Sequence, residues 1–389
     1  MTSERVGKHF GPALLLAGLV FFFCSWSTMA QTIRDLPPPP PAPTPKPTPT
    51  PAPPKDEDFE VIRVSSNLVM VPVSVVDANG EPVRGLQVND FHLVEEGRDQ
   101  QITEIGNPDE VPLDIAVLFD ISSSVSQKGF FSFQQRAAAS FLKQVLKPVD
   151  RAAVFTITDQ PTLVSPLASA ETAAAKILTI PAATSPVPTA FYDTVMAAAK
   201  YLVEKSAERH RRVIVVISDG DDNFSSIVKD LTLAEYRASQ KGGVTSAAAY
   251  QNLLERRRRA VLEVQKAVQQ SDAAFYSINP GGSSVRLNQI SMRAQNAMES
   301  IAQSTGGSAY VPDGEQDLER VFSEVAAELR GQYLLQYYSN SQSSGAQFRR
   351  IAVTLATRPE LRVRARQGYY PKQIKGEGGR MKEEKKRSP

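Results

Sequence analysis

The chain has 389 residues, with 44 Lys and Arg against 42 Asp and Glu, a formal net charge of +2. Hydrophobic side chains at 41% and charged ones at 22% leave ample apolar surface for a core in two or three compact units. Three histidines and one cysteine exclude zinc fingers, iron–sulfur clusters and disulfide frameworks, so any metal must be held by oxygen. The charge balance leaves no electrostatic footprint for nucleic acid or an anionic membrane.

Residues 1–30 read as a secretory signal peptide. Arg5 and Lys8 form a basic start, an apolar stretch runs from Pro12 to Cys24, and Thr28-Met29-Ala30 offers small residues for cleavage. That stretch is short for a spanning helix, and an uncleaved anchor is the competing reading. Phe21-Phe22-Phe23 ahead of Cys24 argue against a lipoprotein. In residues 31–58, twelve of the 28 prolines fall between Pro37 and Pro54, which predicts an extended, semi-rigid linker rather than helix or ladder.

From Phe59 the pattern turns to strand. Leu68, Met70, Pro72 and Ser74 alternate with Val69, Val71, Val73 and Val75, and Asp77-Ala78-Asn79-Gly80 signals a hairpin. Phe91–Val94 ahead of Glu96-Gly97 adds another strand, so 59–110 is expected to be an antiparallel β module. His92 reads as a surface or half-buried side chain, not a ligand.

Residues 111–331 alternate strand and helix. Ile115–Phe119 is a continuous apolar strand, as expected where both faces are covered. Helix Phe130–Val145, strand Ala152–Thr158 and a hairpin partner near Leu163-Val164 follow, then helices Ala170–Leu178 and Ala190–Val203. Strand Val213–Ile217, helix Tyr250–Gln270, strand Ala273–Ile278, helix Leu287–Gln303, strand Ser308–Val311 and helix Leu318–Leu329 complete the series. This predicts an α/β fold with a doubly wound, mainly parallel central sheet flanked by helices. Strands return at 332–371, around Tyr333–Tyr338, Arg349–Leu355 and Leu361–Ala365. They are too few to bury a core alone, so they are expected to pack with residues 59–110. The charged tail at 372–389 is expected to be disordered.

Three segments place oxygen-bearing side chains at strand or helix ends: Asp120-Ile121-Ser122-Ser123-Ser124, Pro188-Thr189-Ala190 and Ser218-Asp219-Gly220. In open α/β sheets ligands bind beyond the carboxyl ends of the strands. Two carboxylates and three hydroxyls suit a hard divalent cation, Mg2+ or else Mn2+ or Ca2+. So few charged ligands leave the ion ready to accept a carboxylate from another molecule.

These segments resemble the von Willebrand factor type A domain, as in integrin inserted domains. Its metal-ion-dependent adhesion site uses Asp-x-Ser-x-Ser after the first strand, a Thr in a second loop and an Asp after a later strand. The resemblance spans roughly 112–331 and implies metal roles for Asp120, Ser122, Ser124, Thr189 and Asp219. One departure stands out: Ser185-Pro186-Val187-Pro188 precedes Thr189 where the family often has glycines. Prolines fix φ and stiffen that loop.

Enzyme readings lack material. The chain has no Gly-x-Ser-x-Gly elbow, no phosphate-binding Gly-rich loop before Lys-Ser or Lys-Thr, and only His92 and His210 beyond the signal segment. An aspartyl-phosphate hydrolase would need a carboxylate where Ser122 stands. Asp221 and Asp222 read as a solvated loop, and Arg256–Arg259 behind Glu255 as a solvated helix face. The long loop between Asp222 and Tyr250 is a place for specificity. The expected function is an exported, non-enzymatic binding or adhesion module, in the periplasm, envelope or medium. Its Mg2+ would hold an exposed Asp or Glu of a protein partner. The alternative is a structural subunit of an envelope assembly with a vestigial metal site.

Overall fold

The structure is a computed structural model that describes residues 68–122, 125, 131–230, 247–282, 288–341 and 347–371. The signal segment, the proline-rich linker, Ser124, most of the long loop after Asp222 and the charged tail lie outside the described residues.

A six-stranded sheet carries the middle of the chain: β5 (Leu113–Asp120), β6 (Arg151–Ile157), β7 (Thr162–Ala168), β8 (Arg211–Ile217), β9 (Ala273–Ile278) and β10 (Ala309–Tyr310). Its order is β10-β9-β8-β5-β6-β7, parallel except for β7, which pairs antiparallel with β6. All eight residues of β5 are buried, because helices cover both faces. Leu113, Ile115, Val117 and Phe119 enter a core with α1 (Phe131–Val145), α2 (Ala170–Leu178) and α6 (Glu315–Gly331). Ala116 and Leu118 enter the opposite core with α3 (Phe191–Lys205), α4 (Ala247–Gln270) and α5 (Gln289–Thr305). Each wholly buried Leu, Val or Ile contributes about 1.5–3 kcal/mol of transfer free energy, so this register is strongly fixed. The same alternation turns Asp120 toward the side of α3.

The flanking segments build two antiparallel sheets. β1 (Leu68–Val76) lies between β11 (Tyr333–Tyr338) and β13 (Arg362–Ala365), with β4 (Ile102–Gly106) beyond β11. The second sheet runs β14-β12-β2-β3, joining β2 (Phe91–Glu95) and β3 (Arg98–Gln100) to β12 (Arg349–Leu355) and β14 (Gly368–Tyr369). Val69, Val71, Val73, Leu93, Leu335, Tyr337 and Ile351 share one core between them. Buried Glu95 accepts hydrogen bonds from Tyr337 at 2.6 Å, Ser339 at 2.7 Å and Tyr369 at 3.2 Å, and Arg349 stands 3.5 Å away. Both ends of the central segment therefore contribute to each of these sheets.

One expected hairpin is corrected. The Asp77 carboxylate does cap a turn, accepting from Asn79 N at 2.8 Å and Glu81 N at 2.9 Å. The turn closes only an isolated bridge, Val76 with Pro82, and β1 takes its partners from β11 and β13 instead. Pro82 has no N–H to extend a ladder. A two-residue hairpin forms at Glu96-Gly97 instead, with φ of 49° and 77°, joining β2 to β3.

The β sheets grip the ends of the helices at the sheet edge opposite Asp120. Arg366 pairs with Asp272, donates to Met70 O at 2.7 Å and lies 5.3 Å over the Tyr369 ring. Arg364 pairs with buried Glu328, which also accepts from the Tyr276 hydroxyl at 2.9 Å. Gly306 ends α5 with φ of 83°, and a Cβ there would sit 2.7 Å from Arg366 N. Gly306→Ala is expected to cost roughly 1–3 kcal/mol, as a non-glycine residue forced into that conformation does. Urea unfolding in EDTA measures it, and an unchanged midpoint would show that this contact yields freely.

Candidate metal centre

Asp120 ends β5, Thr158 follows β6 and Ser218 follows β8, so three parallel strands deliver their next residues to one edge of the sheet. Asp120 is wholly buried. Its Oδ1 accepts from Ser122 N at 2.7 Å and its Oδ2 from the Ser218 hydroxyl at 2.5 Å. Ser218 Oγ in turn accepts from Gly220 N at 2.9 Å, where a φ of 72° turns the chain sharply after Asp219. Ser218 thus joins the ends of β5 and β8. In the sequence Ser218 stands out only within the Ser-Asp-Gly signature, as a small hydroxyl next to an acid at a strand end.

Asp219 is half-buried. Its Oδ1 accepts from Asp221 N at 3.2 Å, and its carbonyl lies 3.5 Å from Asn279 Nδ2. Asn279 is itself buried after β9 and donates to Gln295 of α5 at 3.0 Å. Burial pushes the Asp120 carboxyl up to about 7, and the charge of Asp219 adds to the rise; the bonds from Ser218 and Ser122 oppose it.

Thr189 is buried one residue before the cap of α3. Its N–H donates to Asn223 Oδ1 at 2.9 Å, and its carbonyl accepts from Asn223 N and Phe224 N, both at 3.1 Å. Ala190 N donates to Thr158 O at 2.6 Å, which ties the same segment to the end of β6. Asp120, Ser122, Thr189 and Asp219 are therefore placed on three loops tied to one another by hydrogen bonds, while Ser124 lies outside the described residues.

The solvated-loop reading of Asp221 and Asp222 is corrected. Asp222 is buried, and Asp221 is half-buried. Burial raises the carboxyl pKa of both, with the charge of Asp219 adding to the effect on Asp221. The Arg256–Arg259 run is largely a solvated face, with Arg258 and Arg259 pairing with Glu255. Half-buried Arg257 differs, because its charge reaches Asp221 and Tyr192.

The donor set fits a hard cation. Among the described residues no three His, Cys, Asp or Glu side chains gather as a metal cluster, so charge neutralisation here rests on two carboxylates with hydroxyls around them. A buried carboxylate beside a second one is costly unless a cation lies near it.

Residues 114–276 match the family model of the von Willebrand factor type A domain. A search of curated proteins returns no match. Among solved structures the chain is similar to an aerotolerance-related membrane protein from Bacteroides fragilis, at 15% identity and a TM-score of 0.36 over 55% of this chain and 98% of that one. It is similar to a von Willebrand factor type A protein from Catenulispora acidiphila, at 10% identity and a TM-score of 0.42 over 80% of this chain and 64% of that one. It is also similar to proximal thread matrix protein 1 from the mussel byssus, whose structure has a zinc-occupied MIDAS motif, at 14% identity and a TM-score of 0.38 over 59% of this chain and 48% of that one. The family match runs from β5 into β9 and so takes in the strands that carry Asp120 and Asp219; over that segment the chain is similar to a von Willebrand factor type A domain.

Proposed function

We propose that Asp120, Ser122, Ser124, Thr189 and Asp219 hold a hard divalent cation, Mg2+ before Mn2+ or Ca2+, and that the protein is a non-enzymatic binding module. The observation that carries this reading is the wholly buried Asp120 carboxylate, bonded only by neutral donors among the described residues and set beside a second carboxylate. When bound, the cation would supply an open coordination position for a carboxylate of a partner protein. The chain's own residues do the rest: Ser122 N and Ser218 orient Asp120, and the 222–224 turn seats Thr189. Residues 1–30 support export to the periplasm, envelope or medium. Among the described residues no helix is long and apolar enough to cross a membrane.

Asp120→Ala tests the reading. Replacing an anchoring ligand should weaken Mg2+ by more than the roughly 10–100-fold that altering an outer group costs. Melting in EDTA should not fall, because the apolar strand ahead of Asp120 is untouched and carboxylate repulsion is relieved. Calorimetric Mg2+ titration and thermal melting read both quantities, and unchanged Mg2+ binding would end the metal reading.

The raised Asp120 carboxyl has a pH consequence. Folded Asp120 keeps its proton to about 7, whereas an unfolded Asp loses it near 3.9. Between those values the metal-free folded state binds more protons than the unfolded one, so its stability falls as pH rises and levels off above 7. Asp221 and Asp222, also raised, act in the same direction. Urea unfolding in EDTA should therefore give a lower stability at pH 8 than at pH 5, by a few kcal/mol. Saturating Mg2+ should flatten the difference, and Asp120→Asn should shrink it. An apo stability that rises over this range would contradict the burial of a charged Asp120.

A further inference from the structure

Asp222 is the most densely bonded carboxylate near the centre, and the set of proposed metal ligands does not use it. Its Oδ1 accepts from Phe224 N at 3.2 Å and Ser225 N at 3.0 Å, and its Oδ2 from Tyr192 N at 2.7 Å and the Ser225 hydroxyl at 2.5 Å. With every oxygen engaged inside the protein, it has little capacity left for a ligand. Tyr192 belongs to the first turn of α3, so Asp222 satisfies one of the N–H groups that a helix start leaves open. Ser225 extends the joint, because its Oγ accepts from Asp193 N at 2.9 Å. The Asp193 carboxylate answers by accepting from Ser226 N at 2.8 Å and the Ser226 hydroxyl at 2.9 Å.

With the three bonds between Thr189 and the Asn223-Phe224 pair, seven hydrogen bonds join residues 189–193 to residues 222–226. Thr189 is held through both its N–H and its carbonyl by the two residues that follow Asp222 directly. On its other side stand Pro186 and Pro188, which have no N–H to bond with. Apart from the bond of Ala190 N to Thr158 O, the seat of Thr189 is thus built from residues 222–226, and Asp222 is the group that folds them into a turn.

We infer that Asp222 is a positioning residue of the candidate metal centre: it does not ligate, but fixes the 222–225 turn against α3 and thereby sets where Thr189 stands relative to Asp219. This inference rests on the proposed metal reading of that centre. It assigns the acidic loop after β8 two separate tasks, with Asp219 facing the cation and Asp222 holding the loop that carries Thr189.

The test is a double-mutant cycle on the full chain, with Mn2+ as probe and its uptake followed by electron paramagnetic resonance. Thr189→Ala and Asp222→Ala should each weaken Mn2+ by about tenfold or more, the size expected for disturbing a ligand or its support. If Asp222 acts through Thr189, the double variant should be no weaker than Thr189→Ala alone. Asn223→Ala guards against a loss that merely reflects misfolding: Asn223 is exposed, and the change removes one bond to Thr189 N. It should weaken Mn2+ while leaving the melting temperature in EDTA unchanged. Losses that add in the double variant, or wild-type affinity in Asp222→Ala or Thr189→Ala, would overturn the role of Asp222. A wild-type chain that takes up no Mn2+ would overturn the metal reading as well.

Discussion

The central constraint is the removal of Asp120 from water at the end of β5. The two ends of that strand treat the same residue type differently. At its start, Asp114 is equally buried, and Arg151 meets it with two hydrogen bonds at 3.0 and 2.8 Å while His210 Nδ1 lies 3.0 Å away. At its finish, Asp120 receives a backbone N–H and a hydroxyl, both neutral, and has the charge of Asp219 for a neighbour. An opposite charge at hydrogen-bond distance offsets desolvation far better than neutral donors do. The chain brings the Arg151 guanidinium to Asp114. At Asp120 the described residues bring only neutral donors.

Other buried acids follow the rule of Asp114. Glu95 lies by Arg349 inside the β sheets, and Glu328 pairs with Arg364 where those sheets meet the helices. Removing one partner of such a pair strands a buried charge, so these contacts specify geometry as much as they stabilise. Asp222 shows the other solution, a carboxylate held by four donors from backbone and hydroxyl groups. Burial raises the carboxyl pKa of both Asp222 and Asp120, and Asp120 has the charge of Asp219 adding to the rise.

Much of this architecture was legible because it rests on local pattern. The unbroken apolar run Ile115–Phe119 announced a strand covered on both faces, and the strand–helix alternation gave the parallel sheet. Alternation put Val69, Val71, Val73 and Val75 on one face of β1, and that face is the buried one. What escaped depends on partners far away in sequence. Asp77-Ala78-Asn79-Gly80 looked like a hairpin because its turn chemistry is local; the packing of 332–371 with 59–110 was expected, but not that β1 would take Tyr333–Tyr338 as its direct neighbour. Asp222 looked solvated because Asp is a loop residue by habit, while its burial is decided by Tyr192, 30 positions earlier. Ser218 entered only as part of the Ser-Asp-Gly signature, because its bond to Asp120 depends on a residue 98 positions earlier.

The prolines before Thr189 take a different meaning once its bonds are known. Glycines there would leave the loop many backbone states to lose on ordering, whereas Pro186 and Pro188 restrict the unfolded chain in advance. Such restriction stabilises only where the folded backbone accepts the proline φ and needs no N–H at those positions. The structure meets the second condition at Thr189, whose backbone partners come from Asn223 and Phe224 rather than from its own loop. A centre with two carboxylates gains little binding energy to offset ordering, so it profits most from loops whose shape is already set. Rigid prolines on one side and a bonded turn on the other serve that same end. The departure from the family's glycines is then consistent with a competent site, provided the bonded side stays in place.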